Sequence, residues 1–457
     1  MSPSRVSTAL VYLALLAGAS SEAARGCLLA ERLRVVAPHL SEEEVLALAH
    51  GNMNREVIPY ALEAAVACTD GTADIFPCDA VDLLSFLPLS AIGGGSGNDL
   101  WGWQDPVTGT EYALVGRSNG TAFVDLSDPE NPVYVGNLPT HTGNSSWRDI
   151  KVYADHAFVV SDSNSNHGVQ VFDLTQLRAV TNPPVTFPET AHYPGFGSAH
   201  NIAINEDTGF AYAIGSGTCN GGPHMIDVST PTSPAGVGCV GSDGYTHDTQ
   251  CVVYHGPDAE HVGREICFNS NEDTVTIVDV TDKANPVQLS RNGYTDHGYT
   301  HQGWLTADHR HFIHDDELDE IFNGHMTRTY TWDVSDLDQP VLAGFWDGEA
   351  DSIDHNQYIK GEYTYQANYT RGLRILRLLD PSTGSLEEAA FFDTFPESDA
   401  QDFSGAWSTY PFFASGIVLV SDISRGLFVL RPLVGPLFED GFESGDTSAW
   451  DLQVPLF

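Results

Sequence analysis

The chain has 457 residues, with Lys plus Arg at 20 against Asp plus Glu at 62, a formal charge of −42. That balance excludes nucleic acid as a partner, because phosphate binding needs clustered cations. With lysine only at positions 151, 283 and 360, anionic surfaces have equally little to hold, and the acidic surface itself favours solubility and attracts cations.

Residues 1–24 predict a signal peptide: Arg5, then the apolar run Ala9–Leu16, then small residues to Ala24. The run is too short to span a bilayer, so no transmembrane span is expected in the mature chain. The expected address is outside the cytoplasm: periplasmic, cell-surface or extracellular. Residues 25–78 predict a small helical segment, with a capping box at Ser41-Glu42-Glu43-Glu44 and apolar residues at helical spacing after it. Residues 79–98 read as a linker, with Gly93-Gly94-Gly95-Ser96-Gly97 as a flexible joint. Setting Cys27 aside leaves six cysteines, and no C-x-x-C among them. Structural disulfides in an oxidising compartment are the better reading, and sequence proximity favours Cys68–Cys78, Cys219–Cys239 and Cys251–Cys267.

From about residue 99 to 435 one phrase recurs. It is a run of β-formers ending near an aspartate, as in Val275-Thr276-Ile277-Val278-Asp279. Copies centre on 125, 173, 227, 279, 333, 377 and 430, so the steps are 48, 54, 52, 54, 44 and 53. Strand runs without clean alternation fit strands covered on both faces. A period near 50 in a β-rich chain predicts an all-β, seven-bladed β-propeller. Residues 436–457 form an acidic, aromatic tail outside the repeat.

Several phrases agree in order with one family. Trp101-Gly102-Trp103, Trp147-Arg148-Asp149-Ile150, His167–Leu174, Gly263–Cys267 and Tyr299-Thr300-His301-Gln302-Gly303-Trp304 together resemble the choice-of-anchor B family, and the recurring strand resembles the LVIVD repeat. The resemblance runs roughly from Cys78 to Pro432. It implies an exported bacterial propeller whose members differ in their sorting or anchoring tails; it implies no particular activity. The tail here resembles a short Gly-Phe-Glu-Ser-Gly…Trp ending rather than a hydrophobic sorting helix.

A second repeat lies at the start of five successive blades: Arg148-Asp149, His200-Asn201, His247-Asp248, His301-Gln302 and His355-Asn356. The histidine steps of 47, 54 and 54 track the blade period. First strands of propeller blades are innermost, so the four imidazoles are expected to converge on one mouth of the channel. A divalent transition metal suits such a donor set, with Asn201, Asp248, Gln302 and Asn356 as candidates to orient the rings. The alternative is structural hydrogen bonding in a wet channel. Trp101, Trp103, Arg148, Asp149, Trp304 and Trp407 are candidate ligand contacts at the same mouth. Two Ca2+ readings stand beside bland ones. Asp162–Gly168 reads as a hairpin turn or a calcium loop, and Asp315–Glu320, near His309, His311 and His314, as a solvated acidic loop or a calcium site. Two functions follow: an exported module binding an unknown ligand or surface protein, or a metal-dependent oxidase or hydrolase.

Overall fold

A computed structural model describes residues 64–434. The signal segment, the capping-box helix and the acidic tail lie outside the described residues. The described chain forms seven sheets arranged as a seven-bladed propeller, antiparallel except where the short strand Val185–Thr186 pairs parallel to Val133–Pro139. Blade four shows the unit: Asp248–Val253, Glu265–Ser270, Val275–Asp279 and Val287–Asn292, in that order from axis to rim. Apolar residues fill both faces of the middle strands, as in Ile277 and Val278, which are at most 1% exposed and pack into different core clusters. Neighbouring blades supply the cover, which is why the sequence shows unbroken apolar runs.

The first strands of all seven blades touch in a closed circle, from Gly97–Gln104 round to Ala406–Tyr410 and back. Closure uses both halves of the chain. Blade seven takes three strands from Ala406–Tyr410, Val418–Asp422 and Gly426–Pro432, and its outermost strand is Val81–Pro88. Leu83 pairs with Leu430 and Phe86 with Phe428 across that junction. Residues 79–98 are therefore not a linker. After Val81–Pro88 the chain makes a 3-10 turn, Leu89–Ile92, and passes through Gly93, Gly94 and Gly95, all at positive φ, directly into blade one. Only glycine adopts three such conformations in a row without strain, and a Cβ on Gly93 would meet the Arg117 guanidinium at 2.4 Å. The joint is a fixed turn.

The described part of the segment expected to be helical, residues 64–78, is extended instead. Thr72–Ala73 and Phe76–Asp79 form a hairpin that adds to the rim of blade six, with Cys78 opposite Phe392. The disulfides pair Cys68 with Cys78, Cys219 with Cys239 and Cys251 with Cys267.

Phe428 sits where these pieces meet. Its ring lies 4.7 Å from Phe86, 5.3 Å from Phe76 and 5.9 Å from Phe392. Phe428→Ala is expected to cost about 3–5 kcal/mol of unfolding free energy through the cavity it leaves, read as a lower denaturant midpoint with unchanged slope.

Ionisable groups are also buried away from the axis. Burial pushes the Asp393 carboxyl up to about 7, and does the same to Asp248 in the channel. It pulls His167 and His314 down to about 3 and His309 to about 4. The raised carboxyls hold protons that the unfolded chain has lost, so their stabilisation fades as pH rises toward 7. The depressed histidines stay neutral where the unfolded chain takes protons, so their stabilisation is lost as pH falls below the ordinary imidazole value. In chelator, the melting temperature should therefore peak between about pH 6 and 7 and fall on both sides; a steady rise to pH 9 would refute this.

Candidate functional site

Three of the four in-phase histidines stand at or just before the start of a blade's first strand, and His301 is the second residue of Thr300–Leu305. The rings form a continuous arc: His200 to His247 at 4.4 Å between centroids, His247 to His301 at 4.1 Å, and His301 to His355 at 4.4 Å. Trp407 closes on His355 at 5.0 Å.

The arc is held from the Nδ1 side of every ring. In blades five and seven the ladder slips by one residue, leaving His301 and Trp407 as bulged, unpaired residues. A bulge frees a carbonyl from the ladder and re-aims its side chain. Both freed carbonyls are used. His247 Nδ1 donates to the His301 carbonyl at 2.9 Å, and His355 Nδ1 donates to the carbonyl of Trp407. The other two rings meet carboxylates: His301 Nδ1 lies 3.0 Å from Asp315 Oδ1, and His200 Nδ1 lies 3.0 Å from Asp162 Oδ2. With Nδ1–H committed to a carbonyl, a neutral ring must present the Nε2 lone pair. The Nε2 of His301 is buried without a partner.

The rings stay neutral because they are dry. Burial pulls His355 down to about 3 and holds His247 and His301 well below the ordinary imidazole range, each depressed further by neighbouring rings. His200 is the exception. Burial lowers it, but the hydrogen bond and charge of Asp162 outweigh that and raise it.

One residue of the site was not picked out by the repeat. Glu317, in the loop after His311–Asp316, places its carboxylate 4.0 Å from His301 Nε2 and 3.8 Å from His355 Nε2. Tyr369 fixes it with a 2.7 Å hydrogen bond. Burial pushes Glu317 up to about 7. His301, His355 and Glu317 bring ligand atoms within 4.8 Å of one another, whereas His200 and His247 extend the arc beyond that group. Bonds of about 2.0–2.2 Å from a metal to imidazole and carboxylate span these separations. Two imidazoles and a carboxylate are a donor set of the kind that takes a divalent transition metal.

The neighbouring polar residues do a different job from the one expected of them. Asn201 donates to the His247 carbonyl at 3.0 Å, Gln302 Oε1 accepts from Gln357 N–H at 3.1 Å, and Asp149 Oδ2 accepts from Ile202 N–H at 2.6 Å. Asp248 accepts from Thr249 N–H, and the Asn356 carbonyl accepts from Ala367 N–H. These bonds satisfy backbone within and between blades; the rings are oriented instead by Asp162, Asp315 and two carbonyls. The proposed contacts also separate by depth. Trp101, Trp304, Tyr358 and Phe412 make one aromatic layer. Trp304 is three residues past His301, about 10 Å further along the strand. Lys151 lies 2.6 Å from Asp149 and 4.6 Å from the Trp101 ring centroid. Trp103 stacks on Tyr112 and bonds Asp155, and Arg148 is buried between the Arg117 carbonyl and His167 Nε2. Of these contacts, Trp407 alone adjoins the imidazoles.

The acidic run Asp315–Glu320 is not solvated: Asp315, Asp316, Asp319 and Glu320 are all at most 1% exposed. The Asp162–Gly168 stretch is a hairpin connection in which Asn164 Oδ1 accepts from the Thr142 hydroxyl and from Gly143 N–H.

Residues 107–140 match the LVIVD repeat family model, which spans the second to fourth strands of blade one. No curated protein matches the chain. Among solved structures it is similar to the Cps50 (Swd1) β-propeller domain of Myceliophteria thermophila, at 11% identity and a TM-score of 0.49, covering 76% of this chain and 99% of that one. It is also similar to a structural-genomics protein from Lactobacillus plantarum, at 15% identity and a TM-score of 0.48, covering 71% and 88%. The chain is a propeller repeat protein with a blade of LVIVD type.

Proposed function

We propose that this chain is an exported binding propeller that holds a divalent transition metal at one mouth of its channel. His301, His355 and Glu317 serve as ligands, with His247 and His200 continuing the donor row. The observation that carries the reading is that Nδ1 of His247, His301 and His355 is in each case turned to a carbonyl or carboxylate, which leaves Nε2 as the free donor face of these three rings. Acceptors that hold the other ring nitrogen in this way set imidazole orientation in metal sites. Export is supported by the leader pattern of residues 1–24, by three disulfides and by the choice-of-anchor B phrases. Among the described residues no helix is long and apolar enough to cross a membrane.

A ligand reaching the mouth would meet the metal first, flanked by Trp407 and Tyr369. One observation favours a metal-dependent oxidase or hydrolase as a second reading. Three converging protein donors leave a coordination position open, as in catalytic rather than structural sites. In either case the protein's own contribution is the same: neutral imidazoles, an oriented carboxylate and a dry wall of aromatic rings.

The test is elemental analysis of untagged protein, followed by titration of chelator-stripped protein with zinc and copper. One equivalent should bind. His301→Ala, His355→Ala and Glu317→Gln should each weaken binding at least about tenfold, a loss of about 1.4 kcal/mol, while near-ultraviolet dichroism reports an intact fold. Unchanged affinity in all three variants would overturn the site. Because Glu317 holds a proton up to about pH 7, the metal must displace it. Affinity should therefore fall as pH drops below about 7, and Glu317→Gln should flatten that dependence.

A further inference from the structure

Beside the imidazole arc lies a second group of donors of a different chemistry. Asp319 and Glu320 open the short helix Asp319–Asn323, and Asp354 lies in the irregular stretch that enters blade six. All three are at most 1% exposed. Both carboxylate oxygens of Glu320, both of Asp354, and Oδ1 of Asp319 have no hydrogen-bond partner among the described residues. The backbone N–H groups of Glu320 and Asp354 face the Glu320 carboxylate without reaching bonding geometry.

The contrast with adjacent Asp316 shows how unusual this is. Asp316 is equally buried, yet it collects Tyr294 Oη at 2.6 Å and the N–H groups of Gly298, Tyr299 and Leu318. Nothing comparable serves Glu320 and Asp354. The three lysines are engaged elsewhere, on Asp149, on Glu265 and on the Phe413 carbonyl. Arg328, the cation nearest Asp319, is committed to both oxygens of Asp347, and His325 and Tyr330 use only Oδ2 of Asp319. No hydrogen bond joins the two carboxyl groups, so they do not share a proton as an acid pair would. Glu320 is the charge that acts most strongly on Asp354.

Uncompensated carboxylates in a dry interior cost several kcal/mol each unless a cation or proton neutralises them. We propose that Glu320 and Asp354 bind a calcium ion. An all-oxygen set suits a hard cation and excludes the softer metals that imidazole prefers. Calcium fits better than magnesium because it accepts bidentate carboxylates and irregular geometry, and the stretch leading to Asp354 supplies main-chain carbonyls without regular structure. The ion would brace the cluster formed by Leu318, Ile353, Tyr369 and Phe403, against which Trp407 packs. This site does not rest on the transition-metal reading.

The experiment is equilibrium dialysis of the stripped, folded protein against calcium at up to 1 mM, together with thermal melting and hydrogen exchange. Wild type is expected to bind one tightly held calcium, melt several degrees higher, and exchange more slowly across residues 349–356. Magnesium at the same concentration should do less. Glu320→Gln and Asp354→Asn should each lose at least tenfold in calcium affinity, and His301→Ala should retain it. Failure of wild type to slow exchange across residues 349–356 with calcium would overturn the proposal even if the variants misfold. So would retention of the tight calcium in both variants, which would put the ion elsewhere on the acidic surface. A melting temperature for Asp354→Asn above that of wild type, with no calcium response in either, would identify protonated carboxyl groups instead.

Discussion

Each blade's innermost strand has a partner on one side only, so a row of backbone N–H and C=O groups faces the axis with nothing to pair with. Such groups are costly if left dry. In this ring they are satisfied across blade boundaries by side chains. Asp149 takes the N–H of Ile202, Gln250 takes that of Leu305, Gln302 takes that of Gln357, and Asn201 and His247 donate to the carbonyls of the next blade. The polar residues at the strand starts are thus the mortar between blades. The histidines take part in the same bonding, but an imidazole has two nitrogens. One can serve the backbone while the other remains free, which is how a structural requirement leaves a donor face at the mouth.

Charge sets the second constraint. The chain carries 62 acidic residues against 20 basic ones, and it does not leave all the acids in water. Asp99 and Asp149 share Lys151 in the channel, and Glu265 is buried against Lys283 at 2.7 Å. Around the mouth the supply of cationic side chains runs out. The carboxylates of the blade-five loop are met there by hydroxyls, amides and imidazoles, or by nothing that the chain itself provides.

Much of the architecture was legible in the sequence because repetition averages over local ambiguity. Seven β-rich phrases at a near-constant step mean blades whatever any one phrase would suggest. The closing strand escaped notice because it lies apart from the repeat. Val81-Asp82-Leu83-Leu84-Ser85-Phe86-Leu87 is a buried-strand pattern, and blade seven ends at Pro432 with only three strands of its own, so the missing fourth could have been sought there. The glycines beside it suggested looseness, but three consecutive positive φ angles make a rigid corner. At the site, the histidines stood out because they repeat in phase. Glu317, Asp162 and Asp315 did not, because they come from loops and a second strand: Asp315 reaches His301 within blade five, while Asp162 reaches His200 and Glu317 reaches His355 only across a blade boundary. An acidic run is ordinarily solvated, and nothing in its composition distinguishes the buried case. The tryptophans misled in a simpler way: Trp304 shares a strand with His301 but lies at another depth.

The closing strand also fixes where the chain enters and leaves the ring. Val66 donates to the Leu83 carbonyl at 2.8 Å, Leu433 donates to the Ala80 carbonyl at 2.8 Å, and Val66 and Val434 pack against one core cluster. The two ends of the described chain, at residues 64 and 434, therefore meet at one place on the rim, between blades six and seven. The strand that closes the ring also anchors both of those ends, so closure of the ring and retention of its ends are one event.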